Sequence, residues 1–173
     1  MQKQFTPNRF TVHGDVAHIF LSNNKGIEVA YAIVDIDDLD RVIGFGRWAP
    51  GWNKVTESFY PNAKGGRVYL HRFVTRAPKV MDVDHQNHET TDCRKVNLLV
   101  CSHAINMQNR IEKAVKPVSG CRNVYWEPTS KQWRVRFMVN KRSIGAGSFK
   151  NLEDAIAEAN AKRLHYLPNS KTA

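Results

Sequence analysis

Cysteine is scarce in this chain. Among 173 residues there are three, Cys93, Cys101 and Cys121. They form no CxxC pair and leave an odd count, which argues against a disulfide framework and against a four-cysteine structural zinc site. Long apolar runs are missing as well. The opening MQKQFTPNRF has no signal-like hydrophobic stretch, and nothing downstream approaches the length of a membrane span, so a reducing cytoplasm is the simplest expected home. Acidic residues are outnumbered, 16 against 26 Lys and Arg, for a formal net charge of +10. The deficit is local: residues 1–60 hold six basic and seven acidic residues, residues 61–119 ten and five, and residues 120–173 ten and four. A basic excess confined to the middle and the end of the chain is the pattern of modules that track a polyanion, and a polyanionic partner is expected.

What is present is organised around Tyr69 to Arg110. A strand-like run, Val68 to Val74, is followed by a turn through Arg76-Ala-Pro78. A second apolar run, Val80 to Val83, ends on Asp84-His85, and a polar loop covers Gln86 to Lys95. Strand-like residues return at Val96 to Val100. From Ser102 a helix is expected to about Val115, with Met107, Ile111, Ala114 and Val115 on one face and Asn106, Asn109, Arg110 and Lys113 on the other. A carboxylate and a histidine thus sit at the centre of a strand-loop-strand-helix unit.

Asp84-His85, Asn97-Leu98 and Asn106, with Leu70-His71-Arg72 upstream and Gln108-Asn109 downstream, resemble the HNH nuclease family, most closely its phage and homing endonucleases. The resemblance implies a ββα-metal fold in which His85 is the general base, Asp84 and Asn106 hold one divalent metal, and Asn97 stiffens the loop. It departs from the family where the loop reads Asn87-His88-Glu89 in place of Asn-Gly-Asn. The chemistry is coherent without the family. Phosphodiester hydrolysis needs a base near neutrality and positive charge on the phosphate, and a carboxylate with an amide oxygen suits Mg²⁺ or Mn²⁺. Asn97 or a backbone carbonyl could orient the ring of His85. His71 reads either as a structural histidine or as one that contacts DNA or supports the site, and Arg72 is a candidate DNA contact.

Elsewhere, Phe10 to Leu21 and Ile27 to Val34 read as two strands around Ser22 to Gly26. Asp35 to Ile43 reads as a short helix capped by Asp35 or Asp37, with Leu39 and Ile43 inward. Trp48 and Trp52 lie in an aromatic, glycine-rich stretch where packing is favoured over base stacking. A further strand starts at Ser58. Pro117-Val-Ser-Gly120 is the expected linker. After it come strands at Cys121 to Trp126, Gln132 to Val139 and Arg142 to Phe149, and a helix capped by Asn151 with Leu152, Ala155, Ile156 and Ala159 on one face. Gly120-x-Arg122-Asn-Val124-Tyr-Trp126, Trp133-Arg-Val-Arg136 and the closing helix resemble the AP2 DNA-binding domain, whose first-strand glycine is here Asn123. In the middle strand Arg134, Arg136 and Met138 alternate with Val135, Phe137 and Val139, leaving an arginine-bearing face for a major groove. Arg122, Tyr125, Arg134, Arg136 and Arg142 are its expected DNA contacts.

The expected fold class is therefore α+β: an HNH endonuclease domain over 1–116 (β-rich over 1–66, ββα-metal core over 67–116), a linker at 117–120 and an AP2-like domain over 121–173. The expected activity is metal-dependent cleavage of double-stranded DNA. The alternatives are a non-catalytic DNA-binding protein on the same scaffold and a structural-zinc HNH protein, the second disfavoured by the cysteine count.

Overall fold

The computed structural model describes residues 6–109 and 118–170. The chain is α+β, with several small antiparallel sheets and few helices among the described residues. It divides into two compact units, Met1–Ser102 and His103–Ala173.

In the first unit, β1 (Phe10–His13), β2 (Val16–Ser22) and β3 (Glu28–Asp35) form an antiparallel meander. The single strand expected over 10–21 is two, because Gly14 takes φ +59° and turns the chain back so that His13 pairs with Val16. The period-two alternation of β2 buries Ala17, Ile19 and Leu21, and β3 answers with Ala32 and Val34. A 3-10 turn over Ile36–Asp38 leads into α1 (Leu39–Phe45), which buries Leu39 and Val42. Neither expected aspartate cap is made. Asp35 instead accepts the Lys95 backbone N–H at 2.8 Å. Next come β4 (Trp48–Asn53), β5 (Ser58–Ala63) and β6 (Val68–Tyr69), again antiparallel. Trp48 is fully buried and its indole N–H donates to the Val42 carbonyl at 2.9 Å, whereas Trp52 is 54% exposed.

The expected strand over 68–74 stops at Tyr69 and continues as α2 (Leu70–Thr75). The reason is which residues must share a face. Strand alternation would have put Arg72 inside beside Leu70 and Val74, whereas one helical turn brings Leu70 and Val74 inward together and turns Arg72 away. Arg76, left-handed at φ +52°, ends the helix. Two strands then pair antiparallel, β7 (Asp82–His85) with β8 (Leu98–Cys101). One apolar cluster running from Ala17 to Cys93 unites the unit.

The second unit opens with α3 (His103–Asn106). The rest of the helix expected to Val115, from Arg110 onward, lies outside the described residues, as does Pro117 of the expected linker. Ser119 is buried, its hydroxyl 2.8 Å from the Val124 carbonyl, so this part of the expected linker is fixed to the sheet it precedes. That sheet is β9 (Val124–Glu127), β10 (Gln132–Val139) and β11 (Arg142–Phe149), with β10 in the middle, and α4 (Leu152–Tyr166) covers one side. Val124, Val135, Phe137, Ala155 and Ala159 form the core between them. Each large side chain so buried contributes about 1.5–3 kcal/mol.

Candidate functional site

Asp84 and His85 are the last two residues of β7, paired with Leu99 and Leu98 of β8. The loop between these strands is clasped by Asn97, which is buried. Its Oδ1 accepts the Asn87 backbone N–H at 2.9 Å and its Nδ2 donates to the Asp92 carbonyl at 2.8 Å. The Gln86 N–H donates to the Asn97 carbonyl at 2.9 Å, and the His88 N–H to the His85 carbonyl at 2.9 Å. Asn97 thus has both ends of its amide on backbone groups of the loop.

Asp92 is the second anchor. It receives the Arg94 guanidinium through two hydrogen bonds, at 2.8 and 2.6 Å, and the Asn87 amide at 3.0 Å. Burial raises its pKa, but the hydrogen bonds from Arg94 and Asn87 outweigh that, and the net shift is downward. The loop is also stitched to β3: Ile33 donates to Thr91 at 2.9 Å, Cys93 donates back to Ile33 at 2.8 Å, and Lys95 Nζ lies 2.7 Å from the Asp38 carboxylate. Cys93 is wholly buried, and burial pushes its thiol pKa far up, so it serves the core. His88, which stands where the family has glycine, takes φ +65°. Its backbone adopts the left-handed turn that glycine makes at no steric cost and that histidine adopts more readily than most residues.

The His85 ring is 6% exposed and meets two other rings. His71 from α2 crosses it edge-on at 5.0 Å between centroids, and Tyr60 from β5 does so at 6.2 Å. Tyr69 stacks on the far side of this group against His71 at 5.6 Å. Burial lowers the His85 pKa to about 4, partly opposed by the negative charge of Asp92. Burial lowers that of His71 further, to about 3, helped by the neighbouring His85 and Arg72. Both rings are therefore neutral at physiological pH, which is the state a proton acceptor needs. Tyr60 and Asp92 were not foreseen as neighbours of the site. The Tyr60 contact joins distant parts of the chain, Asp92 is held within the loop by Asn87, Arg94 and Asn97, and only the Leu-His-Arg run was a sequence signal for His71.

The other expected residues lie on separate elements. Arg72 is spent locally, donating to the Met81 carbonyl at 2.8 Å and to that of Pro78 at 2.7 Å. Asn106 ends α3 in the second unit, and Asn109 is 1% exposed, which removes it from the surface where a DNA contact was expected. Arg110 and Lys113 lie outside the described residues. Arg122 is half-buried and donates to the Gln108 carbonyl at 3.2 Å.

The sheet face of the second unit follows the expected alternation. Val135 and Phe137 are buried, while Arg136 and Met138 are exposed on the other side with the half-exposed Arg134. Tyr125 pairs with Arg134 across the strands and is 51% exposed, and Arg142 is exposed at the start of β11. Glu127 lies 3.9 Å from Arg134 and 3.8 Å from Arg136, a loose pairing that leaves both guanidiniums able to turn to another anion. Asn123, at the family's glycine position, has φ +70°, and its carbonyl accepts the Arg136 N–H at 2.9 Å where β10 bulges. Asparagine is one of the few residues that enters this region readily.

Among the described residues, no three His, Cys, Asp or Glu side chains gather as a metal cluster. No described helix is long and apolar enough to cross a membrane. Neither family models, curated proteins nor solved structures match the chain.

Proposed function

We propose that this protein is a metal-dependent DNA endonuclease of the HNH type, with an AP2-like C-terminal module that reads DNA. The observation that carries the reading is His85: a buried, neutral imidazole at the end of a two-stranded hairpin, beside a carboxylate, with the following loop clasped through both ends of the Asn97 amide. The left-handed backbone at His88 supports it, since this is the turn the family's glycine would make.

In this reading His85 takes the proton from the attacking water. Burial favours its neutral form, the one that can accept a proton. Asn97 holds the loop so that the ring does not need to be ordered during reaction. Asp84, and Asn106 as the resemblance implies, are the hard oxygen donors that Mg²⁺ or Mn²⁺ favours, and the bound ion would supply positive charge on the phosphate and the leaving oxygen. On β10, Arg134 and Arg136 would engage phosphates and guanine edges, with Arg142 and Tyr125 beside them.

The test is cleavage of supercoiled plasmid with Mg²⁺. The protein is expected to yield nicked or linear DNA, and His85→Ala to abolish this while retaining DNA affinity. Full activity of His85→Ala would remove the base assignment. Tight binding by a wild-type protein that never cuts would leave a DNA-binding protein on a nuclease scaffold.

A further inference from the structure

Beside His71 and His85 the first unit has an open groove of about 580 Å³ between β4, β5 and α2. Its composition is informative. Trp52, 54% exposed, and Tyr69, 40% exposed, supply aromatic walls, and Tyr60 and His71 complete the lining on the His85 side. Lys54 and Arg72 bring cations to the lining, the Arg72 guanidinium being held by the Met81 and Pro78 carbonyls, and among the described residues no carboxylate lines the groove. Two amides also line it. Asn62 uses its Nδ2 on the Tyr60 carbonyl at 3.1 Å, leaving its Oδ1 as an acceptor. Asn53 uses its Oδ1 on the Val55 and Thr56 N–H groups, leaving its Nδ2 as a donor.

Flat aromatic surfaces with one donor, one acceptor and a nearby cation are complementary to a nucleobase attached to a phosphate. A fully stacked base pair cannot enter such a groove, because its faces are covered and its edge is paired. The volume lies in the range of small-ligand pockets. Trp52 has further significance: it is a large exposed side chain held by a single edge-on contact to Phe59, at 5.0 Å. Ordering an exposed tryptophan this way presents its ring face at little further entropic cost.

We propose that this groove receives an unpaired nucleobase of the DNA strand, stacked on Trp52 and Tyr69, with its amide-reading edge toward Asn53 and Asn62. The proposal rests on the nuclease reading for its DNA substrate, and adds that the preferred substrate has a base out of the helix next to the His85 site. Since His71 belongs to both the groove lining and the ring contact with His85, a filled groove would set the strand's position relative to the base.

The experiment is binding in EDTA, so that cleavage plays no part. Two duplexes are compared, one fully paired and one with a single unpaired 2-aminopurine, a fluorescent adenine analogue whose emission is quenched by stacking on an aromatic ring. Wild-type protein is expected to bind the unpaired duplex more tightly and quench the analogue. Trp52→Ala is expected to lose most of the quench and about ten- to a hundredfold of that affinity, with the paired duplex unaffected. Trp52→Phe should restore the quench, which a folding defect would not. The free 2-aminopurine nucleotide, added alone, separates a base held as part of a strand from a pocket for mononucleotides: equal affinity for both would overturn the strand assignment. Equal quench by wild type and Trp52→Ala, or equal affinity for paired and unpaired duplexes, would overturn the groove. His85→Ala is expected to keep the quench, and a wild-type protein that shows the quench in EDTA yet never cuts plasmid with Mg²⁺ would remove the nuclease reading and leave the groove standing.

Discussion

Lowering the pH from about 7.5 to about 5 is expected to destabilise the first unit by about 4 kcal/mol, through two rings that the fold keeps neutral. His71 and His85 are 8% and 6% exposed, with pKa values lowered from 6.5 to about 3 and about 4. For a base whose folded pKa is depressed, stability is complete above the unfolded value and is lost as pH falls below it, until the folded value is reached. At pH 5 both folded values lie below the ambient pH. The loss is then set by the distance from the unfolded value alone, roughly 1.5 units at 1.36 kcal/mol each, or about 2 kcal/mol per ring. It is thus insensitive to where between 3 and 4 each folded pKa lies. Asp38 and Asp92, whose pKa values are lowered from 3.8, titrate below this window and add nothing to it. Urea melts would read the effect, with Trp48 in the core of the first unit as reporter in a W52F/W126F/W133F background. At a slope of about 1–3 kcal/mol/M the midpoint should fall by more than about 1 M. His71→Gln, which cannot titrate, should halve the dependence. A wild-type midpoint flat between pH 7.5 and 5, or an undiminished slope in His71→Gln, would refute the reasoning.

Other outcomes follow from single contacts. Asn97→Ala should destabilise the first unit by about 2–4 kcal/mol in urea melts, since it strands the Asn87 N–H and the Asp92 carbonyl, and Asn97→Asp, which keeps the acceptor, should cost less. EDTA should stop cleavage while leaving far-UV circular dichroism unchanged, and Mg²⁺ or Mn²⁺ should restore it; unfolding on chelation would point to a structural metal instead. Arg134→Ala and Arg136→Ala should each cost about 1–3 kcal/mol and relax preference at particular base pairs if they read guanine, or weaken all sequences alike with a shallower salt slope if they hold phosphate, as measured by competition binding at several salt concentrations.

How much of this was legible depended on the range of the interaction. The last two strands and the helix of the second unit could be read almost to the residue, because Val135, Phe137 and Val139 alternate against arginines and Ala155 and Ala159 recur at helical spacing, whereas the first strand starts at Val124 and not at Cys121. Asp84-His85 and Asn97 fall within one short hairpin, so their closeness follows from local pairing of β7 with β8. The helix at Leu70–Thr75 could not be read, since six residues with one buried pair a turn apart carry too little periodicity to compete with the β-branched and aromatic residues in the run. Nor could the ring cluster, whose members Tyr60, His71 and His85 come from three elements that only tertiary packing brings together. The expected aspartate caps failed for the same reason, as Asp35 found a partner 60 residues away.

The stitching of the His85 loop onto β3 bears on how such a site could be inherited. The backbone exchange between Ile33 and residues 91–93, the reach of Lys95 to Asp35 and Asp38, and Cys93 in the core make the N-terminal meander the bed on which the loop lies. A fragment beginning near residue 67 would carry every candidate catalytic side chain and still arrive in a new host protein without the strand that shapes its loop. A segment that kept the shape of the loop would therefore have to begin before the meander, and one that also kept Asn106 would have to run past β8 into the second unit.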